Sequence, residues 1–151
     1  MSEMPLIETG SCRVLSLAAE TQFAPDGIVS RTLWRTPHGR MVLFGFDAGQ
    51  ELTEHTSPHH ATVQILSGAC EWKLGEETRT LRAGELVYMP PQLPHAVKAL
   101  ERFSMLLTLV QAGPPDAVEG SGRGAGVHGN RRVAGVVAGQ PGPAVGVTPS
   151  V

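Results

Sequence analysis

The sequence predicts an all-β fold, a sandwich or barrel of short strands, on the strength of three observations. Apolar runs of strand length recur along residues 13–110, and Gly and Pro turn signals separate them at steady intervals. No window of the sequence keeps an apolar period of 3.6 residues over the length of a helix. Every Leu, Ile, Met, Phe, Tyr and Trp lies within the first 112 of the 151 residues, so only that part can form a core.

Nine segments are predicted to be strands, and each ends at a turn signal. In chain order they span residues 13–17, 28–35, 41–46, 60–66, 70–74, 78–82, 86–89, 95–99 and 103–110. The segment 78–82 is mostly polar, as expected of an outer strand, whereas Met105-Leu106-Leu107 indicates a strand that is buried on both faces. The turn at Gly75-Glu76-Glu77 predicts a hairpin between residues 70–74 and 78–82.

The last 39 residues differ from the rest in composition. They carry 10 of the 18 Gly and 5 of the 12 Pro, and their only apolar residues are Val and Ala. Such a segment cannot bury enough apolar surface to offset its ordering entropy. We therefore predict an N-terminal segment at 1–27 with one or two edge strands, a barrel at 28–112, and a disordered Gly/Pro/Val/Ala-rich tail at 113–151.

Charge and composition exclude several classes of protein. The formal net charge is −2, and the only adjacent basic pair is Arg131-Arg132, so no electrostatic footprint for nucleic acid exists. No apolar run approaches the roughly 20 residues that span a bilayer, so no membrane association is expected. The first residues lack the basic and apolar regions of a secretory signal, and Cys12 and Cys70 lack CxxC spacing. We therefore expect a cytoplasmic protein with reduced cysteines.

The histidines carry the clearest chemical signal. His55, His59 and His60 lie within six residues, and His95 follows Pro94 forty positions after His55. Imidazoles from distant strands of a barrel can converge in its interior and hold a divalent metal with coordination positions left open. The alternative is that these histidines are polar residues near turns and bind no metal.

Two segments resemble the paired motifs of the cupin superfamily. Residues 49–55 (GQELTEH), followed by Gly68, are similar to the first motif, and residues 84–90 (GELVYMP), followed by His95, are similar to the second. The resemblance covers roughly residues 30–111. It implies a cupin double-stranded β-helix, a jelly-roll barrel with a small-molecule pocket at one mouth. It also implies that the strand at 28–35 pairs with a second subunit, which predicts a homodimer.

The departures from the motifs concern the metal ligands. The resemblance places ligands at positions 55, 57, 61 and 95, and this sequence keeps His55 and His95. Ser57 is a poor ligand for a transition metal, and Ala61 is none. The second motif also has a glycine where this chain has Gln92.

His59 or His60 could replace the missing ligands. Either would give, with His55 and His95, a three-imidazole set suited to Fe(II), Mn(II), Ni(II) or Zn(II). Strand parity does not decide between them, because Pro58 marks a turn. The resemblance then implies oxygenase, isomerase or lyase-type chemistry on a small molecule.

Two other functions are compatible with the same residues. One is a metal-free cupin that binds or senses a small molecule through His55 and His95, and the other is a structural dimer with a vestigial pocket. The sequence assigns no catalytic residue and predicts no cofactor other than the metal.

Overall fold

The computed structural model describes residues 4–113, and within them the chain forms nine strands and one short helix. The elements are α1 (Leu17–Glu20), β1 (Ile28–Thr36), β2 (Gly39–Phe46), β3 (Glu51–His55), β4 (His59–Ser67), β5 (Ala69–Leu74), β6 (Glu77–Arg82), β7 (Leu86–Met89), β8 (His95–Ala99) and β9 (Phe103–Gln111). The predicted all-β class is confirmed. The predicted tail, 113–151, lies outside the described residues except for Gly113.

The strands form two antiparallel sheets. The larger sheet has the order β1-β2-β9-β4-β7, and the smaller has the order β3-β8-β5-β6. Side chains from both sheets form the main core: Phe46, Val63 and Phe103 belong to the larger sheet, and Cys70 and Val97 belong to the smaller one. The two sheets are therefore the two walls of the jelly-roll barrel that the sequence predicts.

A second cluster covers the outer face of the larger sheet. Leu33, Leu43 and Leu106 form its buried centre, and residues of the N-terminal segment, Leu6 and Leu15 among them, pack against it. The backbone of this segment also joins the edge of β1, because the N–H groups of residues 6 and 7 donate to the carbonyls of residues 32 and 33. Both faces of β9 are consequently covered, as its continuous apolar run predicts.

The strand predicted at 13–17 is wrong. Ser16 instead caps α1, and its hydroxyl accepts a hydrogen bond from the N–H of Ala19 at 3.3 Å. Leu15 and Leu17 are apolar because they cover the outer cluster, and not because they alternate along a strand.

The sequence also missed β3, whereas it identified the polar edge and the hairpin of the smaller sheet. β3 lies at an edge, most of its residues are exposed, and it therefore carries little apolar signal. The predicted hairpin of β5 and β6 is confirmed, with β6 as the opposite edge strand. β1 is an edge strand as well, and its pairing with a second subunit stays a prediction.

No helix within residues 4–113 has the length and apolar character needed to cross a membrane.

Candidate functional site

A cavity of about 390 Å³ lies between the two sheets at one end of the barrel, which we call the open end. Its walls are mostly apolar and are contributed by both sheets, since Phe44, Met105 and Leu107 line it with Trp72 and Val97. Among residues 4–113, no Asp or Glu lines it. Volumes of roughly 300–1,000 Å³ with apolar walls are typical of small-molecule sites.

Two of the four predicted site histidines meet in this cavity. His55 on β3 and His95 on β8 are direct cross-strand partners, and their ring centroids are 4.3 Å apart at an interplanar angle of 61°. His95 is 7% exposed, and the indole of Trp72 stacks on it with the centroids 6.0 Å apart. The sheet register therefore fixes the His55–His95 pair, which the sequence separates by forty residues.

Each ring of this pair is oriented by a backbone carbonyl two residues before it. The Nδ1 atom of His55 lies 2.8 Å from the carbonyl oxygen of Thr53, and the Nδ1 atom of His95 lies 2.7 Å from that of Leu93. Because a carbonyl oxygen can only accept, Nδ1 is the donor in both rings, and in a neutral ring Nε2 is then an acceptor. Neither Nε2 has a hydrogen-bond partner within residues 4–113.

The environment of His95 favours the neutral ring. Burial lowers the pKa of His95 below 6.5, and the neighbouring His55 lowers it further, against the opposing effect of the Leu93 carbonyl. At neutral pH the Nε2 atom of His95 therefore presents a lone pair. Among residues 4–113, the only side-chain N or O atom that is both fully buried and without a hydrogen-bond partner is Trp72 Nε1. Because the Nε2 atom of His95 has no partner either, it cannot be fully buried, and it is therefore accessible from the cavity.

His59 and His60 lie on opposite faces of β4. His59 lines the cavity, as does Ala61 two positions later. His60 does not line it, and its Nδ1 shares a hydrogen bond of 2.8 Å with the hydroxyl of Tyr88, a residue that is 54% exposed. The sequence left open which of the two histidines faces the pocket, and the structure puts His59 on the cavity side.

The residues at the open end do not complete a resident metal site. No group of three or more His, Cys, Asp or Glu in the described part of the chain comes together closely enough to hold a metal ion. Ser57 and Ala61 line the cavity at the two positions where the resemblance implies ligands. Two imidazoles are fewer than the three or four protein ligands of tight sites.

Sequence reasoning missed two residues of this site. Arg40 is the only Lys or Arg of the described residues that lines the cavity, but an arginine on a strand carries no motif. Trp72 lines the cavity and stacks on His95, and a tryptophan on a strand likewise carries no motif. Burial raises the pKa of the neighbouring Cys70 thiol to about 11, so Cys70 is a packing residue without thiolate chemistry.

Comparisons with known proteins agree with this architecture. The family model described as "Cupin domain" matches residues 42–110. A conserved protein of unknown function from Streptococcus pyogenes is 38% identical, with a TM-score of 0.66, and the match covers 76% of this chain and 98% of that one.

Two further solved structures are similar. A Cupin 2 conserved barrel domain protein from Leptotrichia buccalis is 32% identical, with a TM-score of 0.62, over 64% of this chain and 47% of that one. A cupin superfamily protein from Desulfitobacterium hafniense is 20% identical, with a TM-score of 0.64, over 74% of this chain and all of that one, and it supports the fold alone. No curated protein matches the chain.

Proposed function

Given that the chain belongs to the cupin superfamily, we propose that its cavity binds a small organic molecule through the Nε2 atoms of His55 and His95. The observation that carries the proposal is the fixed tautomer of both rings. Each Nδ1–H donates to a backbone carbonyl, so the Nε2 atom is the one left in each ring to accept a hydrogen bond from a ligand in the same cavity.

The proposed ligand follows from the walls and from the acceptors. It has an apolar body that fills a space of about 390 Å³ lined by Phe44, Met105 and Leu107. It also has a hydrogen-bond donor, such as a hydroxyl, that both imidazoles can accept. His95 is 7% exposed, and a buried acceptor left without a partner costs about 1–3 kcal/mol, so a ligand that covers this ring without offering a donor binds less tightly.

A metal-dependent version is the second candidate, and the placement of His59 favours it. His59 lines the same cavity as His55 and His95, so a three-imidazole site for Fe, Mn, Ni or Zn would form if its ring joined theirs. We place this second because the described residues bring only two imidazoles together. Whether the site is catalytic depends on which version holds.

Binding of phenol tests the first version, with anisole as the probe that lacks the donor. We expect phenol to bind the full chain and to shift the Nε2 resonances of His55 and His95 in nitrogen-15 spectra. His95→Ala should weaken phenol binding by about tenfold, the effect of one lost hydrogen bond, whereas His38→Ala in the β1–β2 turn should leave it unchanged. Equal binding of phenol and anisole, or equal loss in both variants, would contradict the proposal.

Elemental analysis of untagged protein separates the two versions. The metal-free version predicts well under about 0.1 equivalents of any transition metal, even after incubation with Fe(II), Mn(II), Ni(II) and Zn(II), because two imidazoles bind weakly. If the protein instead held one equivalent of metal, and both His55→Ala and His59→Ala lost it, the metal-dependent version would be correct and the metal-free version wrong.

A further inference from the structure

The rim of the cavity carries arginines that have no carboxylate partner among residues 4–113. A groove beside the cavity is lined by Arg35, His38, Arg40 and His59, and the last two also line the cavity itself. No Asp or Glu of the described part of the chain lines either space, although the full sequence carries 14 acidic residues against 12 basic ones. The groove and the cavity therefore lie side by side and share Arg40 and His59 as wall residues.

The two arginines of the groove oppose each other across the β1–β2 hairpin. Arg35 and Arg40 are direct cross-strand partners, a placement in which like charges destabilise a sheet. The ion pairs within residues 4–113 join Glu20, Asp47, Glu54 and Glu77 to Arg31, Arg102, Lys73 and Arg79, and none includes Arg35 or Arg40. An anion placed between the two guanidinium groups would remove this repulsion.

The sheet register brings Arg40 of this pair to the cavity. Arg40 pairs with Leu109 on β9, and Leu109 pairs in turn with Ala61 on β4. The three residues form one row across the larger sheet, and all three line the cavity. Ala61 occupies a position where the resemblance implies a glutamate, so this row holds the charge of Arg40 and no carboxylate.

We propose that the ligand of this cavity is a small organic carboxylate whose carboxylate group binds Arg40, with Arg35 behind it at the rim. A guanidinium matches a carboxylate through two parallel N–H···O bonds, which makes it a selective partner for this group. The apolar body then lies against Phe44 and Leu107, and a donor group at the far end reaches His55 and His95. This assignment rests on the proposed function, because it takes the same cavity as the binding site.

A pair of probes that differ only in charge tests the assignment. 4-Hydroxybenzoate and 4-hydroxybenzamide share the ring and the phenolic donor, and only the first carries a carboxylate. In calorimetric titrations of the full chain, we expect 4-hydroxybenzoate to bind about tenfold or more tightly than the amide, since hydrogen bonds to charged groups are stronger than neutral ones.

Variants at the rim locate the effect. Arg40→Gln should remove the preference for the acid, so that acid and amide bind with equal affinity, and Arg40→Lys should restore part of the preference because it keeps the charge. Arg35→Gln should have a smaller effect, since Arg35 lines the groove but not the cavity. Arg79→Gln is the matched control, because Arg79 lies on β6 and pairs with Glu77.

The outcomes separate this inference from the proposed function. Equal affinities for acid and amide, both weakened by His95→Ala, would overturn the carboxylate assignment and keep the cavity as a binding site. A preference for the acid that depends on Arg40 but not on His55 or His95 would keep the anion site and overturn the proposed function. No binding of either probe at millimolar concentration would overturn both.

Discussion

The end of the barrel opposite the open end, which we call the closed end, is made of the same strands but differs from the open end in its packing and in its residues. At the closed end, Phe46 and Phe103 are direct partners on β2 and β9, neither is exposed, and their rings stack with the centroids 4.5 Å apart. About 20 Å along β2, six residues away, Arg40 lies at the open end beside the cavity. One end is filled by packed side chains, and the other encloses a cavity with mostly apolar walls, two histidines and an arginine.

The two ends also differ in how they follow the cupin motifs. The closed end keeps the motif glycines, and all of them adopt positive φ: Gly49 at 80°, Gly68 at 74° and Gly84 at 90°. The open end has Ser57, Ala61 and Gln92 where the motifs have two ligands and a glycine. The difference teaches that the fold is specified by groups at the closed end, so the open end can change its chemistry without losing the barrel.

The largest expected effect comes from removing an aromatic ring at the closed end. Phe103→Ala should lower the free energy of unfolding by about 3–5 kcal/mol, because it opens a cavity in a filled core. Leu107→Ala, four residues further along β9, should cost clearly less, since Leu107 already borders an empty space. Urea denaturation of both variants measures the contrast, and equal losses would mean that the open end is packed as tightly as the closed end.

A pair of glycine variants makes the same comparison on the backbone. Gly68→Ala should destabilise the protein by about 2–4 kcal/mol, because a Cβ atom there is strained by positive φ and would lie 2.8 Å from the Cβ of Phe103. Gly84→Ala has the same sign of φ but meets nothing within 4 Å, so it should cost only about 1–2 kcal/mol.

The same denaturation experiment compares the two glycine variants. If Gly84→Ala cost as much as Gly68→Ala, the close approach of the turn at Gly68 to Phe103 would not be what stabilises the closed end.

Most of the fold was predictable because its strands carry alternation and end at Gly or Pro. The two wrong predictions have a physical reason. β3 is an exposed edge strand with few apolar residues, so it was missed. The apolar residues near Leu15 cover the outer face of the larger sheet, and nothing in the local sequence distinguishes this from a strand. For the site, the motifs identified His55 and His95. The choice of His59 over His60 needed the register of β4, in which the buried Ala61 fixes the inward face.

Arg40 could not be predicted in the same way. It reaches the cavity only because β9, the last strand in sequence, pairs with β2 and brings Leu109 and then Ala61 beside it. Strand pairings between residues far apart in the chain leave no pattern in the local sequence. The position of Arg40 at the rim of the cavity therefore becomes evident only from the order of the strands in the sheet.

The smallest expected effect concerns Gln92 at the open end. Gln92 has φ of 67°, so its backbone keeps the left-handed conformation that the motif normally gives to glycine. Its N–H also donates to the carbonyl of Ser57 at 2.7 Å, which fixes that conformation. Gln92→Gly should therefore raise the free energy of unfolding by up to about 1 kcal/mol, the strain released less the entropy that glycine adds to the unfolded chain.

Gln92→Ala is the matched control for this gain, because alanine keeps the strain and loses only the side chain beyond Cβ. We expect no increase in stability for the alanine variant, measured by urea denaturation beside Gln92→Gly. A glycine variant no more stable than the alanine one would show that the turn at Gln92 is unstrained. In that case the open end would depart from the motif at no energetic cost, and its contrast with the close-packed turn at Gly68, where an added Cβ atom has no room, would be sharper still.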